Sequence, residues 1–278
     1  MLPDQPVQDP IDHERLHQAG HALLRGAVPS DWLDGLRAAF DAGEQASELW
    51  PVPRGRDWRH ALVDLDPQVM AVCRLPVVLS VAGALLGERY FLSQVEGREP
   101  LAEGGHQTLH RDLSACRPGD TVVALAYLDD YGPANGATRI VPGSHRPTPG
   151  EPEFDFTDES RSLQLEGHAG DILVLDADLV HAASTNFSGA RRRTLLFSYC
   201  AEPLYAAHLE TLRLRGVRMD TAERFEPPPR SRGLPQGPRT HREHETPVGT
   251  VALHELRVQP RSCGSAMRIG PPAAGRRG

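Results

Sequence analysis

The chain has 278 residues, with 37 acidic side chains against 30 Lys and Arg, a formal charge of −7 and a pI near 6.0. That length suits one large domain or two small ones. The acidic balance excludes a basic footprint for nucleic acid, and no polybasic patch sits beside an apolar anchor for a membrane. No apolar run is as long as a transmembrane helix, and the polar, acidic start MLPDQPVQDPIDHE does not read as a signal peptide. Cys73, Cys116, Cys200 and Cys263 lie far apart and form no CxxC pair. The expectation is reduced thiols in a cytoplasmic protein, with neither a disulfide framework nor a zinc cluster.

Glycine and proline number 26 and 25, which favours short strands joined by turns. Residues 12–18 predict a short helix and residues 22–25 a strand. Ser30 is a candidate N-cap for a helix running to about Ala46, with Trp32, Leu33, Leu36 and Phe40 on one stripe. Residues 76–86 predict a second helix, apolar nearly all round and therefore buried. From Tyr90 to Tyr199 the pattern is mostly strands and loops: TVVALAYL at 121–128, a turn at Asn135-Gly136, an extended stretch at 138–141, the turn Pro142-Gly143-Ser144-His145, GDILVL at 170–175 and TLLFSY at 194–199. Short strands with turn signals between them suggest a sandwich or barrel. Residues 202–218 form a candidate helix packing outside it.

Residues 1–225 are thus expected to form a single domain. Residues 226–247, rich in Pro, Arg and Gly, have too little apolar surface to offset their ordering entropy and read as a flexible segment. Within the tail, 248–278, VGTVALHELR is a candidate docking strand and the closing GPPAAGRRG reads as disordered.

The chemistry gathers at His110-Arg111-Asp112, answered by His181. On an extended strand, residues i and i+2 share a face, so His110 and Asp112 can grip one ion while Arg111 points away. Two imidazoles and one carboxylate hold non-haem Fe(II) on one side and leave its other positions open. Other histidines compete less well. His106 lies upstream beside glycines, His145 sits in a turn where a structural hydrogen bond is the simpler role, His168 is a loop residue, and His241 and His244 lie in the Pro/Arg-rich tail.

Four motifs in order, QTLHRD, NGATRIVPGSH, GDILVLDADLVHAASTN and RRTLLFSY, together with the opening LHQAGHALLRGAVPSDWLDGLRAAFDA, resemble the phytanoyl-CoA dioxygenase-like family of Fe(II)/2-oxoglutarate oxygenases. The resemblance covers roughly residues 12–200. It implies a mainly β fold, the double-stranded β-helix or jelly-roll barrel of the cupins, with flanking N-terminal helices. It also implies His110, Asp112 and His181 as iron ligands, and Fe(II), 2-oxoglutarate and O2 as cofactor and cosubstrates. Arg192, eleven residues after His181, is then the clamp for the distal carboxylate of 2-oxoglutarate, since a guanidinium meets a carboxylate with two parallel bonds. Arg193 is the alternative. Gln107 and Thr138 are implied to hydrogen-bond the same molecule, and Arg59 or His60 could reach the site from the N-terminal region.

The implied reaction is oxidation, by default hydroxylation, of a small organic molecule such as a secondary metabolite, in a monomer or homodimer. The rival readings are a cupin-type metalloenzyme that uses no keto acid and a non-catalytic jelly-roll binding protein. Substrate-facing loops are expected at residues 44–64, 96–105 and 148–161 and in part of the region after Cys200, and they include Trp50, Trp58, Phe154 and Phe156.

Overall fold

Residues of the run TVVALAYL alternate between two buried environments, and that alternation organises the molecule. A computed structural model describes residues 13–52, 54–112, 118–146 and 152–228. In chain order, helix α1 (His13–Ala19) leads into β1 (His21–Leu24), α2 (Leu33–Gly43), β2 (Glu44–Gln45), β3 (Trp58–Ala61), α3 (Pro67–Val72), α4 (Pro76–Leu86) and β4 (Tyr90–Pro100). Then follow β5 (Thr121–Tyr127), β6 (Thr138–Ile140), β7 (Leu163–Gln164), β8 (Ile172–Asp176), β9 (His181–Ala183), β10 (Thr194–Ala201) and α5 (Tyr205–Arg215). The strands form a seven-stranded sheet, β1-β8-β5-β10-β4-β3-β2, and a three-stranded sheet, β7-β6-β9, in which every pairing is antiparallel.

On β5, Val122, Ala124 and Ala126 pack into a core shared with Ile172 and Val174 of β8, Leu195, Phe197 and Tyr199 of β10, and the helix residues Leu36, Phe40, Val78 and Val81. Val123 and Tyr127 face the other way, joining Leu173 and Leu175 of β8 and Ile140 of β6 in a second cluster between the sheets. Both faces of the large sheet are therefore covered. This explains why its central strands read as nearly continuous apolar runs instead of alternating with polar residues. Two antiparallel sheets closing on a shared interior, with helices on one outer face, form the expected double-stranded β-helix.

Most predicted elements stand within a few residues of their expected bounds. Helix α4 matches at both ends: Pro76 opens it, where a missing N–H costs nothing, and Gly87 closes it in the left-handed region at φ 70°. The helix expected from Ser30 differs. Ser30–Trp32 is a 3-10 turn, α2 begins after it, and Ser30 makes no side-chain cap. The helix expected over 202–218 is a 3-10 turn followed by α5, ending at Gly216 with φ 71°. Past α5, Phe225 exchanges backbone hydrogen bonds with Tyr90 at 2.8 and 3.0 Å. Cys73 and Cys200 are buried free thiols, while Cys116 and Cys263 fall outside the described residues. Of the segment expected over 226–247 only residues 226–228 are described, and the rest of it, with His241 and His244, and the tail 248–278 lie outside the described residues.

One buried carboxylate ties three parts of the fold together. Asp171 accepts from Arg25 Nη1 at 2.7 Å, Gly26 N at 2.9 Å and Tyr131 Oη at 2.9 Å. Burial alone would raise its pKa, but the Gly26 N–H and the Arg25 guanidinium outweigh that and hold it below the usual carboxylate range. A lowered folded-state pKa means that this stabilisation is present above the unfolded value of about 3.9 and is lost as pH falls through the folded value. Asp171→Asn is expected to lower unfolding free energy at pH 7 by about 1–3 kcal/mol. In denaturant titrations the gap from wild type should narrow on acidification, and a gap that stays constant down to pH 3 would contradict the assignment.

Candidate metal centre and its cavity

His110 and His181 face one another through their backbones. Each N–H donates to the other's carbonyl at 3.0 Å. The expected strand around His110 is only this isolated bridge, extended by Gln107 N–H to Ala183 O and Asp112 N–H to Ala177 O, each 3.0 Å. The segment is nonetheless extended, and His110 and Asp112 reach the same point. His110 Nε2 is 3.6 Å from Asp112 Oδ1, and His181 Nε2 is 3.6 Å from Asp112 Oδ2. One ligand atom from each of the three lies within 4.8 Å of the others.

Each imidazole donates its Nδ1–H to the carbonyl two residues earlier, His110 to Thr108 and His181 to Leu179, both at 2.9 Å. That tautomer leaves both Nε2 lone pairs aimed toward Asp112, the orientation a metal ligand needs. Burial, and then the neighbouring His181, lower the pKa of His110, so its neutral, ligating form is favoured at pH 7. Two imidazoles and a half-exposed carboxylate on one side of an open space can hold a divalent transition-metal ion and leave positions for other ligands. Arg111 turns away as expected. It donates to the carbonyls of Asp178 and Ser144 at 2.9 Å and lies 5.5 Å from the ring centre of Phe156.

The cavity beside the three residues is lined by Trp58, Arg98, Gln107, Val123, Leu125, Thr138, Ala182, Ala183, Arg192, Thr194 and Leu196. The three consecutive arginines separate cleanly. Arg191 pairs with Glu99 and Asp41, and Arg193 with Asp129 and Asp41. Arg192 alone turns inward: it is 2% exposed, bonds Thr194 Oγ1 at 3.1 Å, lies 5.9 Å from the ring centre of Trp58, and leaves its Nε without a partner. Among the described residues no carboxylate pairs with it. A buried cation in that state is ready for an anion. Burial lowers its pKa, so an uncompensated charge there is costly.

Thr138 accepts from Tyr127 Oη at 2.9 Å, which leaves its own hydroxyl proton for the cavity. Gln107 lends its Oε1 to Ala183 N–H at 3.0 Å, so only its amide donors remain free. All six residues predicted for the site, His110, Asp112, His181, Gln107, Thr138 and Arg192, thus border one cavity.

Arg59 and His60 do not line it. Arg59 pairs with Glu44 and Glu99, and His60 is buried beside Arg98, its partner across the β3–β4 ladder, with its pKa lowered to about 4 by burial. His145 is structural: its Nε2 bonds the His17 carbonyl at 3.0 Å, and its ring fills the space over Gly20, where a Cβ would come within 2.4 Å of Nδ1. His106 is exposed and away from the cavity, and His168 is exposed beside Asp130.

The residue that the sequence reading missed is Arg98, on β4. The available signal was Glu96-Gly97-Arg98: two opposite charges at strand spacing share a face and must be paired if that face is buried.

The profile of the family described as Phytanoyl-CoA dioxygenase (PhyH) matches residues 16–194. The chain is 35% identical over 107 residues to Dioxygenase ALT11 of Alternaria alternata, covering 35% of this chain and 34% of that protein. It is 29% identical over 194 residues to Dioxygenase af480 of Aspergillus fumigatus, covering 66% of this chain and 62% of that protein. The matches therefore span about a third of one relative and just under two-thirds of the other. Among solved structures, the non-heme alpha ketoglutarate dependent epimerase SnoN from nogalamycin biosynthesis superposes with a TM-score of 0.55 at 20% identity, over 68% of this chain and 81% of SnoN, a likeness of fold. No helix among the described residues is long and apolar enough to cross a membrane. With a profile that spans well over half of the chain and takes in His110, Asp112, Thr138, His181 and Arg192, the chain belongs to the phytanoyl-CoA dioxygenase family.

Proposed function

We propose that the protein is an Fe(II)/2-oxoglutarate-dependent dioxygenase that oxidises, by default hydroxylates, a C–H bond of a small organic molecule of the secondary-metabolite type. The observation that carries this reading is the meeting, in one cavity, of the His110–Asp112–His181 ligand set with a buried arginine that has no carboxylate of its own. Membership of the dioxygenase family, the dioxygenase names of both relatives and the keto-acid dependence named for SnoN support it. A metalloenzyme without a keto acid would have no use for Arg192, whose burial is costly without an anion.

In this reading His110 Nε2, His181 Nε2 and an Asp112 oxygen hold the iron. Bound Fe(II), with 2-oxoglutarate and dioxygen, supplies the oxidation of a C–H bond and releases succinate and carbon dioxide. Arg192 receives the distal carboxylate through its unpartnered Nε–H and its remaining Nη donors, and Thr138 adds its hydroxyl proton. The Gln107 amide donates to an oxygen of the same molecule. Val123, Leu125, Leu196 and Trp58 furnish the apolar part of the wall, which excludes water and strengthens the charged contacts inside.

The full chain is expected to take up one Fe(II) anaerobically and to convert 2-oxoglutarate to succinate. His110→Ala or His181→Ala should abolish that turnover, and Asp112→Gly should weaken iron retention and remove most product. Full turnover with both histidines replaced would overturn the metal assignment. Arg192→Ala should raise the apparent constant for 2-oxoglutarate about 10- to 150-fold, the range for a charge-assisted hydrogen bond of roughly 1.5–3 kcal/mol. Arg193→Ala should change it little, because that guanidinium is held outside by Asp129 and Asp41. The opposite order of effects would move the clamp to Arg193.

A further inference from the structure

The cavity wall holds a second cation, and nothing in the proposed chemistry uses it. Arg98 stands on β4 opposite Thr194 of β10 on one side and His60 of β3 on the other. Strand parity therefore points it inward with Thr194 and Leu196, and it borders the cavity beside His110 and Asp112. Its Nε and Nη2 both bond Glu96 Oε1 at 2.5 Å. Glu96 is 1% exposed and also accepts from Arg54 Nη2 at 2.8 Å and Gln94 Nε2 at 3.2 Å. One buried carboxylate thus serves two guanidinium groups. It fixes the Nε edge of Arg98, and among the described residues the outer Nη1–Nη2 edge has no partner. A guanidinium held along one edge is a preorganised fork for a second carboxylate along the other.

Several buried polar groups beside Arg98 find no hydrogen-bond partner among the described residues. His60, across the β3–β4 ladder, is 6% exposed, and among the described residues neither ring nitrogen has a hydrogen-bond partner. Arg54 Nε and Trp50 Nε1, next to it, also lack one. Buried polar atoms are seldom left in this way, and a cluster of them calls for a bound group or ordered water.

Charge identifies the group. Arg54 and Arg98 share the single carboxylate of Glu96, which leaves one positive charge of that trio unmatched. In the functional reading above, on which this inference rests, the keto acid spends its distal carboxylate on Arg192 and its other end on the metal. Neither end is left for Arg98. Arg98 is also the more open of the two cations, its side chain one-third exposed where Arg192 is sealed. We propose that Arg98 anchors a carboxylate on the substrate, so that the protein acts on monoanionic small-molecule acids whose apolar remainder lies against Trp58, Leu125 and Leu196.

The test uses the full chain loaded with manganese(II), which resists oxidation, and calorimetric titration with benzoate, phenylacetate and hexanoate, each beside its primary amide. Titrations are run with and without saturating 2-oxoglutarate. At least one acid should bind in both conditions, about 10-fold or more tightly than its amide. Arg98→Gln should remove that preference, and Arg98→Lys, which keeps the charge and loses the fork, should keep part of it. The acid–amide comparison in the wild type needs no variant to fold.

Four results would overturn the proposal: acids and amides binding alike, no acid binding at millimolar concentration, an Arg98→Gln protein that retains the preference, or an acid displaced by 2-oxoglutarate. The last would assign Arg98 to the cosubstrate. Failure of the functional reading looks different: 2-oxoglutarate itself would not bind, or its affinity would be indifferent to Arg192→Gln, whatever the acids do.

Discussion

Two backbone hydrogen bonds, exchanged between His110 and His181, hold the site together. The segment carrying His110 and Asp112 belongs to no extended strand, so its position rests on this bridge and on the two single bonds that flank it, Gln107 to Ala183 and Asp112 to Ala177. Arg111 adds a side-chain tether to the carbonyls of Asp178 and Ser144. Without that register the two imidazoles would not share a carboxylate. The large sheet, whose register is fixed by long antiparallel ladders, supplies the walls: Arg98 from β4, Val123 and Leu125 from β5, and Thr194 and Leu196 from β10.

The handling of charge follows from the same division between inside and outside. Arg191, Arg192 and Arg193 are chemically identical, yet two are absorbed by Asp41, Glu99 and Asp129 on the outer side while the middle one is sealed within. Alternation along an extended chain accounts for the difference. A cation buried without a carboxylate costs stability, and such a cost is retained where a ligand offsets it. The same logic separates Glu96, a buried anion with two cations, from the surface ion pairs around it.

Much of this was legible in the sequence because the signals were local or periodic. Helix α4 could be bounded from Pro76 and Gly87, and the central strands from apolar runs ended by turns. The six predicted site residues border one cavity because i, i+2 spacing and motif order constrain direction as well as identity. What was hidden depended on neighbours distant in the chain. Ser30 has the chemistry of a cap, but Pro29 and the packing of Trp32 favour a 3-10 turn first. Arg98 sat in a segment, 96–105, expected as a substrate-facing loop, but residues 96–100 belong to β4, and which of them faces the cavity emerges only when β10 is laid beside β4. His60 shares a face with Arg98, its partner across the β3–β4 ladder, yet lies one strand further from the metal-binding residues and does not border the cavity.

The two imidazoles are oriented by carbonyls two residues upstream in their own segments, not by acidic side chains elsewhere. The information that aims the ligands is therefore carried by main-chain atoms, which substitutions leave in place. Residues of the cavity wall can change without moving the carbonyls that orient His110 and His181. The wall and the orientation of the two imidazoles are thus separable, and a change of side chain around Arg98 leaves the main-chain atoms that aim His110 and His181 where they are.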